Sequence, residues 1–153
     1  MLQLVKRDDS QTTLVQAGNT VYKWDGASTF SSVGSCNASS QLRDVYWSLS
    51  DYLVIPDIQK LTVVKKWDGT TFSTLSTGLG TDLYAKFGVV HHGRVWLFNV
   101  TTSSDTPHLM VASTFENPKL YDTTKRASID TFTTGLEAFY MLTPDLRPIN
   151  GAC

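Results

Sequence analysis

The stretch VYKWDG, Val21–Gly26, returns further along as VKKWDG, Val64–Gly69. Each copy ends in Lys-Trp-Asp-Gly, and each is followed by Phe-Ser, at Phe30-Ser31 and Phe72-Ser73. Trp24 and Trp67 lie 43 positions apart, and Phe30 and Phe72 lie 42 apart, so the second copy is one residue shorter in its turn. Asp-Gly signals a tight turn because Gly reaches positive φ without steric cost. Trp before the turn offers a large apolar cover, and Phe on the returning strand can meet it cross-strand. Trp24, Asp25, Gly26 and Phe30 therefore read as one structural part, made again by Trp67, Asp68, Gly69 and Phe72.

Around these copies helical periodicity is almost absent. Short runs rich in Val, Thr, Tyr, Phe and Trp alternate with Gly, Asn, Asp and Ser, the pattern of antiparallel strands and turns. Strands are expected at 13–17 and 21–24, joined by the turn Gly18-Asn19, and at 29–33, 44–49 and 52–55. The pattern then restarts, with strands at 61–67, 71–75, 84–90, 94–100, 108–113 and 139–142. Leu53-Val54-Ile55 falls on Val95-Trp96-Leu97 at the same offset as the Phe residues. A repeat of this length, built from about four strands, matches a blade of a β-propeller.

The expected fold is therefore all-β, with antiparallel propeller-like blades: about two blade-like repeats plus the start of a third. The expected division is an N-terminal arm at 1–12, a first repeat at 13–58, a second at 59–123, and at 124–153 a linker and the start of a further blade. Closed propellers have at least about four blades, so such a chain is an incomplete propeller. It must oligomerise, belong to something larger, or cover its edges otherwise. Phe139–Leu142 and Ile149-Asn150-Gly151 read as the opening of a blade whose partner strands do not follow, the pattern of a partial chain.

Composition narrows the function classes. The chain has 153 residues, 41% apolar and 11% aromatic, enough for a real core. Only 18% are charged, which suits either a surface packed against neighbours or a Ser/Thr-rich β surface. With 13 basic and 14 acidic residues, no basic excess draws in a polyanion, so specific nucleic-acid binding is not expected. A channel built from several copies still leaves room for DNA to pass. Two cysteines, Cys36 and Cys153, make no disulfide framework and point to free thiols and assembly in a reducing cytoplasm. The first ten residues lack the apolar core of a signal peptide, and no apolar run approaches the length of a membrane span. The triplets Asn37-Ala38-Ser39 and Asn99-Val100-Thr101 matter only in a eukaryotic secretory pathway.

No constellation for catalysis stands out. His91 and His92 precede Gly93 at a hairpin turn, and strand neighbours point to opposite faces, which makes a poor chelate. His108 has no fixed spacing to either. No nucleophile elbow, H-E-x-x-H pair, P-loop or C-x-x-C is present. Asp8-Asp9 lacks the further carboxylates of a calcium loop. Lys6-Arg7, Lys65-Lys66 and Lys125-Arg126 are isolated basic pairs. A glycosidase would need two carboxylates flanking a cleft, and nothing marks them. The repeated box of sialidase-like propellers places Trp after Gly, whereas here Trp precedes Asp-Gly. No catalytic residue, cofactor or metal is expected.

From Leu83 the chain runs LYAKFGVVHHGRVWLFNVTTSSDTPHLMVASTFENPKLYDTT. Gly93-Arg94-Val95-Trp96-Leu97, then Met110-Val111-Ala112-Ser113, then Asn117-Pro118 and Tyr121-Asp122 follow in an order that resembles tail proteins of β-propeller type from tailed phages. Pro144-Asp145 through Ile149-Asn150-Gly151 is similar to the linker into their next blade, and the repeated Lys-Trp-Asp-Gly suits them. The resemblance covers roughly residues 13–151. It implies a structural virion protein of the tail, nozzle- or hub-like, assembled in the host cytoplasm. Its implied partners are further copies of itself in a ring-like homo-oligomer, and portal, adaptor or tail-fibre proteins. Nozzle proteins are much longer than this chain. The alternative reading is a carbohydrate-binding β module in which Tyr22, Trp24, Trp67 and Trp96 stack on sugars.

Overall fold

The computed structural model describes residues 1–47, 51–75, 82–101, 109–113 and 139–142. Twelve strands form three separate four-stranded antiparallel sheets, and no helix occurs among the described residues. Sheet 1 contains β1 (Leu2–Val5), β2 (Gln11–Ala17), β3 (Thr20–Trp24) and β4 (Phe30–Ser35). Sheet 2 contains β5 (Val45–Trp47), β6 (Tyr52–Ile55), β7 (Lys65–Trp67) and β8 (Phe72–Thr74). Sheet 3 contains β9 (Phe87–His91), β10 (Arg94–Phe98), β11 (Leu109–Ala112) and β12 (Phe139–Leu142). Each sheet is an up-and-down meander in which every strand pairs with its sequence neighbour.

The sheets stack, with sheet 2 in the middle. Strand alternation explains how it serves two cores. All four residues of β6 are buried. Leu53 and Ile55 point one way, into a cluster with Leu2, Leu4, Leu14 and Val21 of sheet 1 and Trp67 of β7. Tyr52 and Val54 point the other way, into a cluster with Val45, Val64 and Leu75 and with Leu83, Val95, Leu97 and Val111 on the sheet 3 side. A strand buried on both faces reads as a continuous apolar run, which is what Tyr-Leu-Val-Ile is. In the stack β5 lies against β9, and β4 against β8. Gly34 makes the second approach close: a Cβ there would sit 2.4 Å from Phe72 Cδ1.

Several expectations need correction. The segment 1–12 is no loose arm. Leu2 to Val5 pair with Leu14 to Gln11, because Leu2 and Leu4 alternate inward with Gln3 and Val5 outward. In place of two repeats and the start of a third, the described residues form three four-stranded sheets. Phe139–Leu142 pairs with β11 and completes sheet 3. The sheets also divide the chain elsewhere than at 13–58 and 59–123. β5 and β6 join β7 and β8, so the first sheet ends at Ser35.

Two strands begin well after their expected starts. The expected strand 61–67 begins only at Lys65, because the preceding residues wrap around a buried carboxylate, Asp57. The expected strand 84–90 begins at Phe87, with Tyr84 making an isolated bridge to Thr101. The expected basic pair at 125–126, His108 and the linker at 144–151 lie outside the described residues, as does Cys153.

Candidate functional site

Both copies of Lys-Trp-Asp-Gly join the third strand of a sheet to the fourth. Trp24 pairs with Phe30 across β3 and β4, and Trp67 pairs with Phe72 across β7 and β8. The Trp24 and Phe30 rings stack, with centroids 6.4 Å apart and 17° between planes. Gly26 and Gly69 take φ of 89° and 94°. The carboxylates hold the turns. Asp25 Oδ1 accepts the N–H groups of Ala27 at 2.8 Å and Thr29 at 3.0 Å. Asp68 Oδ1 accepts those of Thr70 at 2.9 Å and Thr71 at 2.8 Å. The residue missing from the second copy is thus removed from inside this side-chain-capped loop, and the cap survives. Asp25 is held below the usual aspartate value by the Ala27 and Thr29 N–H groups. For Asp68, burial pushes upward, but the Thr71 and Thr70 N–H groups outweigh it and the net shift is down.

The same motif meets two different surroundings. Trp67 is 0% exposed. It is packed between sheets 1 and 2, and its Nε1 donates to Thr12 Oγ1 at 2.9 Å. It offers no face to a sugar. Trp24 is half-buried on the outward face of sheet 1. There Val15, Ala17, Tyr22 and Phe30 line a recess of about 310 Å³, and Phe30 is 53% exposed. Alternation explains this: Leu14 and Val21 face inward, so their neighbours Val15 and Tyr22, which pair with each other, face outward. Trp96 sits on the far side of the stack. With Val89, His91 and Phe98 it lines a recess of about 300 Å³ on the face of sheet 3 turned away from sheet 2. The four aromatics of the sugar-stacking reading are therefore on three different surfaces. Tyr22 and Trp24 come together; Trp67 and Trp96 do not join them.

His91 and His92 are exposed at the β9–β10 turn. Their rings do meet, edge to face with centroids 4.1 Å apart, because His92 leaves the strand at φ 48°. Among the described residues no three His, Cys, Asp or Glu side chains are grouped to hold a metal ion. No helix among them is long and apolar enough to cross a membrane. Cys36 is a half-buried free thiol, pushed up by burial and then by Asp57. Arg7 and Asp51 form an exposed ion pair at 3.2 Å, worth little by itself.

The residue sequence reasoning missed is Asp57, fully buried. Oδ1 accepts the N–H groups of Gln41 at 2.7 Å and Gln59 at 3.1 Å. Oδ2 accepts those of Leu61 at 2.9 Å and Thr62 at 3.0 Å, and the Ser40 hydroxyl at 2.7 Å. Its own N–H donates to Ala85 O at 3.1 Å. The carboxylate thus ties the link between sheets 1 and 2 to the β6–β7 connection, and the residue's backbone N–H ties both to the entry of sheet 3. A Pro-Asp dipeptide after an apolar strand was the only sequence signal for it.

Comparison with protein-family models, curated proteins and solved structures finds no match to this chain.

Proposed function

We propose that this chain is a structural virion component of a tailed phage, a tail protein of β-propeller type that acts by assembly. The observation that carries the reading is the stack of three four-stranded meanders with apolar, half-exposed residues on its outermost sheet. Meanders stacked face to face about their first strands are the building plan of propeller blades. A stack ending in apolar faces calls for further sheets. The polar side chains described above cap turns and close connections, which is the work of a scaffold. In this reading the partners are further copies and neighbouring portal, adaptor or fibre proteins, and DNA passes through the assembled channel without being bound by sequence. Purification with candidate portal and adaptor proteins tests it. A stoichiometric ring or tail complex in electron micrographs is expected. A chain that remains monomeric alone and with each of them contradicts it.

A second reading rests on half-buried Tyr22 and Trp24 beside exposed Phe30 on the outward face of sheet 1, which have the shape of a sugar-stacking platform. Glycan-array binding that disappears in Trp24→Ala, with the fold intact, would favour it over assembly.

A further inference from the structure

We infer that two copies of this chain join head to tail, the outer face of sheet 1 of one packing on the outer face of sheet 3 of the other. The inference rests on the assembly reading and names its surfaces. Register relates the faces of the three sheets. Trp67 pairs with Leu53, and Trp24 pairs with Thr13, so Thr13 and Val15 of sheet 1 are the counterparts of Leu53 and Ile55 in sheet 2. In sheet 2 that face is the one packed on sheet 1. In sheet 3 the counterparts are Val95 and Leu97, and that face is the one packed on sheet 2. The rule is the same at both seams: this face of each sheet sits on the opposite face of the sheet before it. Sheet 1 presents the equivalent face outward, with Trp24, Tyr22 and Val15 half-buried and Phe30 mostly exposed.

The rule also specifies what fits there: the opposite face of a like sheet. At the other end of the stack, sheet 3 presents that opposite face, where Val89 and Phe98 are half-buried beside Trp96. The two ends of one chain are thus the two halves of one more seam of the kind already made twice. Different faces meeting head to tail form a heterologous contact, which generates a ring when the rotation closes. With three sheets among the described residues of each chain, two copies bring together six of them, within the roughly four to eight blades at which such sheets close radially. Three copies would exceed that range.

Sedimentation equilibrium on the full chain tests this with two variants. Phe30→Asp places a charge on the sheet 1 face, and Val89→Asp places one on the sheet 3 face. Circular dichroism and thermal melting of each monitor folding. The wild type is expected as a dimer, and each variant alone as a monomer with an unchanged spectrum. An equimolar mixture is expected to recover a heterodimer, because one intact seam remains between the two variants. A heterodimer from the mixture supports the head-to-tail seam even where one variant is less stable. Wild-type oligomers unaffected by either charge, or variants that fail to combine, overturn the inference and leave the assembly reading standing. A wild-type monomer at all concentrations overturns the inference; the assembly reading falls only if the chain also stays monomeric with the portal and adaptor proteins.

Discussion

At the scale of single residues, Asp57 is where the structure is most exposed to damage. Its carboxylate accepts five hydrogen bonds with no exposed surface. Asp57→Ala would leave buried N–H groups of Leu61 and Thr62 and the Ser40 hydroxyl without their acceptor, a loss of about 3–5 kcal/mol. Urea unfolding of the variant measures it; a loss under about 1 kcal/mol would show that water replaces the carboxylate. The turn carboxylates give a different signature. Asp8, Asp25, Asp51 and Asp68 are all held below the ordinary aspartate value. Their folded-state values lie below the unfolded ones, so their contribution is present above about pH 4 and is lost as pH falls through the folded values. The urea midpoint is expected to hold steady from about pH 7 to 5 and decline below about pH 4. The double variant Asp25→Asn/Asp68→Asn is expected to flatten that decline. The turns at Asp25 and Asp68 were legible from Asp-Gly. Asp57 was not, because nothing in a sequence says which of many aspartates is surrounded by donors from two separate connections.

At the scale of elements, the repeat was read correctly as a strand, a turn and a returning strand, and the all-β class follows from the same alternation. What the repeat could not convey is which face is covered. Trp24 and Trp67 occupy the same place in their sheets, and burial differs only because sheet 1 precedes sheet 2 in the stack. Trp67→Ala is expected to cost about 3–5 kcal/mol, as for a fully buried Trp. Trp24→Ala is expected to cost the isolated chain under about 1 kcal/mol. Thermal melts of the two variants side by side check this; equal losses would mean that Trp24 is as enclosed as Trp67. Three elements differ from their sequence reading for local reasons: β1 was read as an arm, β7 as a longer strand, and β12 as the opening of a further blade. β1 is only four residues long and runs into Lys-Arg-Asp-Asp, which resembles a solvated arm. β7 is cut short by the turns gathered on Asp57. β12 joins sheet 3 from residues far beyond β11, and no local pattern announces a partner at that distance.

At the scale of the whole molecule, the account rests on one architectural fact. Three like sheets are stacked by the same face-to-face rule, and sheet 1 presents the face that elsewhere receives a neighbour. The low fraction of charged residues, ambiguous in the sequence, is compatible with the assembly proposed above. The assembly state in solution is the measurement that bears most directly on this. Native mass spectrometry of the wild-type chain, sprayed over a range of concentrations, is predicted to give a closed dimer of six sheets and no open series of larger oligomers. A monomer throughout, or an indefinite ladder of masses, would contradict the account.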